Sequence, residues 1–102
     1  MNTLQDNQAG TARYSAHHSL KPVNFYCQAP AARSVCIAGD FNHWASLPME
    51  RRLDGWWYVS LLLHHGHHQY RFLVDGEAKL DESATGIERD ADGELVSLVA
   101  VS

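Results

Sequence analysis

Cysteine is scarce in this 102-residue chain. The two present, Cys27 and Cys36, are too few for the disulfide framework of a small secreted domain. Proline is also scarce, with three residues, so no Pro-rich linker divides the chain. No apolar run approaches the roughly 20 residues needed to span a bilayer. Basic residues are outnumbered: eight Lys and Arg stand against 12 Asp and Glu, a net charge of −4. That excludes the basic surface a nucleic-acid binder needs. Met1 to Ser19 has no apolar segment, so it does not read as a signal peptide. The location expected from these absences is the cytoplasm.

What is present fits one globular domain. Hydrophobic residues make up 45% and charged residues 20%, an ordinary balance for such a domain. A chain this short builds one core and leaves little for a catalytic cleft. The acidity is local. Asp75 to Glu94 holds eight acids against Lys79 and Arg89, a net of −6. Residues 1–19 are polar and lack periodicity, so they are expected as a mobile tail ahead of a domain over residues 20–102.

From Leu20 onward, short alternating runs are separated by turn residues. Val23, Phe25 and Cys27 form one period-2 set, and Val35 and Ile37 a second. Trp57, Val59, Leu61 and Leu63 form a third, with Trp57 assigned to the core. Tyr70, Phe72 and Val74 form a fourth, and Leu95 to Val101 a last apolar run. Turn signals lie between them at Ala29-Pro30, Gly39-Asp40, Asp54-Gly55, Gly66, Asp75-Gly76 and Asp92-Gly93. The pattern predicts an all-β fold, an antiparallel sandwich or barrel.

Two hairpins follow from the apolar phases. Closing the chain at Gly66 would set Leu61 beside Tyr70, Val59 beside Phe72 and Trp57 beside Val74. Tyr58 would then lie beside Leu73, and Ser60 beside Arg71, on the outward face. An earlier hairpin would pair Phe25 with Ile37 and Cys27 with Val35. Cys27 would point inward and Cys36 outward, which predicts two free thiols.

Several ordered motifs resemble a known family. Ala29-Pro30, Val35 and Ile37-Ala38-Gly39-Asp40-Phe41-Asn42-His43-Trp44 resemble its "AP…V…L.GDFN.W" signature. Gly66-His67-His68-Gln69-Tyr70-Arg71-Phe72-Leu73-Val74-Asp75-Gly76 resembles "G.(H)QY(K/R)F.VDG". The family is the glycogen-binding domain of the AMP-activated protein kinase β subunit, carbohydrate-binding module family 48. The N-terminal domains of isoamylase and branching enzymes are related to it. The resemblance covers about four-fifths of the chain and implies an immunoglobulin-like (early-set) antiparallel β-sandwich that binds α-glucan.

The resemblance implies that Trp44 stacks on glucose and that Arg71 bonds sugar hydroxyls. An exposed flat ring covers the C–H face of a sugar, while polar side chains bond its rim. Asn42 and the outward residues Trp56 and Tyr58 are further carbohydrate-binding candidates. Two of the family's contacts are altered. Ala78 stands where kinase-type domains carry a second tryptophan, and Val96 where they carry an asparagine, leaving Ser97 as the nearby hydroxyl. Weakened affinity is the expectation.

Other chemistry has little support in the residues. His64, His65, His67 and His68 bracket Gly66, but no carboxylate or cysteine is placed to complete a metal set. Asp40, Asp54 and Asp75 stand in turn signals, where Asp bonds backbone, and no paired-carboxylate cleft is legible. The stretch near Asp90 reads as a solvated loop. The expected function is therefore a non-catalytic binding module for α-glucan (glycogen, starch or malto-oligosaccharide) without metal or cofactor, beside a glycogen-metabolising enzyme or kinase-like partner. The alternative is an accessory sandwich that has lost sugar binding and docks a partner, or a second copy, through a Trp56/Tyr58/Leu73 face.

Overall fold

The computed structural model describes residues 20–102; the tail expected over 1–19 lies outside them. Nine strands follow one another: β1 Lys21–Gln28, β2 Val35–Gly39, β3 Leu47–Pro48, β4 Glu50–Arg51, β5 Trp56–Leu63, β6 Gly66–Val74, β7 Glu77–Lys79, β8 Gly86–Arg89 and β9 Leu95–Val101. Among the described residues a 3-10 turn, Asp40–Asn42, interrupts them. Among the described residues no helix is long and apolar enough to cross a membrane.

The strands form two antiparallel sheets. One has the order β1-β5-β4, the other β3-β2-β6-β9-β8, with β7 added to β6 beyond the end of β9. Apolar residues from both sheets meet in one core, so the fold is the expected immunoglobulin-like sandwich. Phe25, Cys27, Val35, Ile37, Trp57, Leu63, Tyr70, Phe72 and Val101 are all buried there. The Phe25 ring meets Tyr70 edge-on at 4.9 Å, which joins the two sheets through an aromatic contact.

The inward phases are those expected, but both hairpins are not. β1 pairs with β5, setting Phe25 beside Val59 and Tyr26 beside Tyr58. β2 pairs with β6, setting Ile37 beside Phe72 and Ala38 beside Arg71. The connections through His64-His65 and through residues 29–34 therefore cross from one sheet to the other. Apolar alternation sets which face of a strand is buried. It is silent on whether the matching face lies beside it or across the core. Phe72 and Val59, expected as lateral neighbours, are instead members of opposing sheets. Cys27 and Cys36 are free, as expected, although on strands of different sheets.

Local chemistry explains the turns that matter. Asp75-Gly76 closes β6 onto β7 with both residues left-handed, φ 50° and 86°, the geometry Asp-Gly favours in a two-residue hairpin. Asp75 Oδ1 accepts bonds from the amides of Arg33 at 2.8 Å and Ser34 at 3.0 Å, tying that hairpin to the chain entering β2. A Cβ at Gly39 would collide with the Phe41 ring and the Gln69 carbonyl oxygen. Only glycine allows the turn after β2 to fold that tightly.

One polar group is built into the core. The Tyr70 hydroxyl donates to Asp81 Oδ2 at 2.6 Å, and the Asp81 amide donates to Oγ of fully buried Ser97 at 2.8 Å. Burial, and then the bond to Asp81, push the Tyr70 phenol well above its ordinary value. A raised folded-state value means that stability is complete below the unfolded value of about 10 and is lost as pH rises past it. Wild-type stability is thus expected to fall by up to about 1.4 kcal/mol per pH unit above pH ~10. Tyr70→Phe should cost about 1–2 kcal/mol at pH 7 and flatten that alkaline slope. Urea melts between pH 7 and 11 measure both.

Candidate carbohydrate-binding face

The outer face of the six-stranded sheet carries the first two candidates. Trp44 follows the 3-10 turn, and that turn is closed tightly. Asn42 Oδ1 accepts from the Gly39 amide at 3.1 Å, Asn42 Nδ2 donates to Ala45 O at 3.0 Å, and Trp44 N donates to Gly39 O at 2.8 Å. Both polar ends of Asn42 are thereby engaged in shaping the turn. Asp40 anchors it to β6, its Oδ2 accepting from the Gln69 amide at 3.0 Å.

His43 and Trp44 are consecutive non-glycine residues in the left-handed region, at φ 57° and 60°. Each costs about 1–2 kcal/mol. The Asn42 and Asp40 bonds hold this conformation, whose effect is to carry the Trp44 ring over the sheet. The indole is half-buried, and the Arg71 guanidinium carbon lies 5.2 Å from the ring centroid. Cation–π attraction keeps the two together as one unit.

Arg71 projects from β6 opposite Ala38, on the outward phase shared with Gln69 and Leu73. It does not lie beside Ser60, because β5 belongs to the other sheet. Its Nη1 is 3.9 Å from Asp90 Oδ2, with the side chains 27% and 13% exposed. Its Nε is buried and has no hydrogen-bond partner. The guanidinium is therefore pinned between Trp44 and Asp90, and a donor there remains unused. Nearby, Gln69 Nε2 donates to Glu88 Oε1 at 2.5 Å.

The altered positions fall on the same face. Ala78 on β7 lies opposite Leu73 and is exposed. Beside it is an open hollow of about 370 Å³, walled also by Arg71, Leu80, Arg89 and Leu95. Val96 is fully buried. Ser97, expected to offer a hydroxyl outward, is turned into the core, where its oxygen accepts from Asp81. Strand alternation dictates this, since Ser97 is the partner of inward Tyr70.

Trp56 and Tyr58 lie elsewhere. They are on the outer face of the three-stranded sheet, opposite Gln28 and Tyr26, with the whole core between them and Trp44. Leu73 is on the other sheet, so the continuous Trp56/Tyr58/Leu73 face does not exist. The sequence reasoning overlooked Gln69, Glu88 and Asp90 near Arg71. Gln69 shares the period-2 phase of Arg71 and was findable. Asp90 stands 19 residues away in an acidic stretch with no local signal of its partner. Among the described residues no group of three or more His, Cys, Asp and Glu could hold a metal ion. His68 instead bonds the His64 carbonyl at 2.9 Å through Nε2.

Comparison with known proteins accords with this geometry. Residues 22–102 match the family model described as the glycogen recognition site of AMP-activated protein kinase. The chain is 42% identical over 52 residues to the pig 5'-AMP-activated protein kinase subunit beta-1, covering 50% of this chain and 41% of that protein. The human subunit beta-1 is 40% identical over 52 residues, with 18% of its length covered. The 1,4-alpha-glucan branching enzyme GlgB of Lactobacillus acidophilus is 37% identical over 78 residues, 71% of this chain and 12% of that enzyme. The chain thus spans less than half of each relative. The match over residues 22–102, together with the two-sheet sandwich, shows that the chain belongs to the family of the AMP-activated protein kinase glycogen recognition site.

Proposed function

We propose that this chain is a non-catalytic α-glucan-binding module whose sugar contact is the outer face of the six-stranded sheet. The carrying observation is the Trp44–Arg71 unit: a half-buried indole held by a strained turn, and a guanidinium from β6 5.2 Å from its ring. The indole would cover one face of a glucose ring. Arg71 and Gln69 would bond the hydroxyl rim. Asn42 then acts by positioning, because its amide is already used within the turn.

The affinity should be modest. One ring covered on one side removes about 75–100 Å² from water, roughly 2 kcal/mol gross. Ordering the side chains and the sugar takes back about 0.5–1.5 kcal/mol per immobilised group. A second ring would normally make up the difference, and Ala78 does not supply one. The family relatives include subunits of a kinase and a branching enzyme. A glucan-metabolising enzyme is the companion we propose for this module.

The test is electrophoresis through gels containing glycogen, backed by titration with maltoheptaose. Wild-type protein should be retarded, and Trp44→Ala should weaken maltoheptaose binding at this face about tenfold or more, a loss of about 1.4 kcal/mol. Lack of retardation together with no fluorescence change at millimolar sugar would sink the proposal and leave the accessory sandwich.

A further inference from the structure

The outer face of the three-stranded sheet carries a second aromatic group that the Trp44 site leaves unused. Tyr26 and Tyr58 are cross-strand partners with ring centroids 5.2 Å apart. Trp56 stands two residues before Tyr58 on the same face, opposite Gln28. Tyr26 is 43% and Trp56 37% exposed. The rings therefore form a platform across two strands, about 4.8 Å in one direction and 6.6 Å in the other.

This platform is positioned. The Arg52 amide donates to Trp56 O at 2.8 Å, and Asp54 Oδ1 accepts from the Trp56 amide at 3.2 Å. The turn before β5 thus fixes the tryptophan backbone at both its polar atoms. The Arg52 guanidinium carbon lies 5.5 Å from the Tyr58 ring centroid. Tyr26, Arg52, Asp54, Trp56 and Ser83 wall a hollow of about 400 Å³. A second hollow of about 230 Å³ adjoins it and shares Tyr26, Trp56 and Ser83.

We propose that this face is a second, separate saccharide site, which takes a stretch of neutral glucan chain by stacking on Trp56 and Tyr26. The lining decides the ligand class. The core of a protein–protein interface is enriched in aromatic rings and Arg but depleted in Asp. Here the exposed Asp54 carboxylate lines the hollow beside the rings. Exposed ring faces beside a fork of donors, a carboxylate acceptor and a hydroxyl suit a polyol with apolar C–H faces. The ligand class is that of the Trp44 face, but no residue is shared. Because the two sheets present their outer faces in opposite directions, one chain would hold two glucan strands and bridge them.

Calorimetric titration with maltoheptaose, together with turbidity on mixing with glycogen, tests this. Wild type should bind two sugars per chain and turn glycogen solutions cloudy. Trp44→Ala and Trp56→Ala should each keep one site and lose the turbidity, with circular dichroism showing both folded. Arg52→Ala, which leaves every ring in place, should weaken only the site that survives Trp44→Ala. Binding abolished by Trp56→Ala but untouched by Trp44→Ala would uphold this site and overturn the reading of the Trp44 face. A single sugar per chain, lost entirely with Trp44→Ala and unaffected by Trp56→Ala, would overturn the second site. So would a Trp56→Ala variant with unchanged sugar binding but a change from dimer to monomer in light scattering, which would assign the face to self-association.

Discussion

Trp57→Ala is expected to leave the domain largely unfolded at 37 °C. The ring is 5% exposed and belongs to the core. Its Nε1 donates to the Ala29 carbonyl at 2.9 Å, a buried bond between residues 28 apart in sequence. That bond holds the chain leaving β1 at the point where it crosses to the other sheet. Truncating a buried tryptophan costs about 3–5 kcal/mol, and a buried carbonyl left without a donor adds about 1–3 kcal/mol. A domain of about 80 residues has roughly 4–12 kcal/mol in total. The melting temperature should drop by about 15 °C or more. Trp57→Phe keeps most of the apolar volume and loses the bond, so its drop should be less than half as large. Thermal melts followed by circular dichroism distinguish them. Equal losses in the two variants would show that the bond, not the packing, dominates.

That same residue illustrates what could be read from the sequence. Trp57, Val59, Leu61 and Leu63 alternate with polar or exposed neighbours, so their inward phase was legible, and Trp57 and Leu63 are buried as expected. Partner choice was not legible. β5 and β6 are joined by two residues, His64 and His65, which suggested a hairpin, yet β5 pairs with β1. Alternation is a property of one strand, whereas pairing depends on contacts between strands far apart in sequence.

The candidate site followed the same division. Trp44 and Arg71 could be named from motif and phase, and the sandwich brings them within cation–π distance. The grouping of Trp56 and Tyr58 with Leu73 failed because it depended on the hairpin. Asp90 could not be found at all. Its pairing with Arg71 arises only when the loop before β9 returns beside β6, and the stretch that holds it reads locally as a solvated acidic turn. Much of the −6 charge between Asp75 and Glu94 has a structural use. Asp75 caps two amides, Asp81 binds Tyr70, and Asp90 Oδ1 accepts from the amides of Asp92 and Glu94.

Ala78→Trp should tighten maltoheptaose binding about tenfold. Ala78 is exposed on β7 and faces outward with Leu73, next to the hollow beside Arg71. An indole there would fill open space rather than displace core. Tryptophan also suits a pleated strand, so stability should change little. The new ring would stand across Arg71 from Trp44, which lets a glucan chain touch both. The added burial is worth about 2 kcal/mol gross and somewhat less after ordering, and 1.4 kcal/mol is tenfold. The double variant Trp44→Ala/Ala78→Trp makes this decisive. If both rings contact one chain, the gain from Ala78→Trp should shrink when Trp44 is absent, giving a coupling of about 0.5 kcal/mol or more. An unchanged affinity in the single variant would mean that the glucan does not run across β6 and β7. The turn that strains His43 and Trp44 would then have to be explained by something other than sugar.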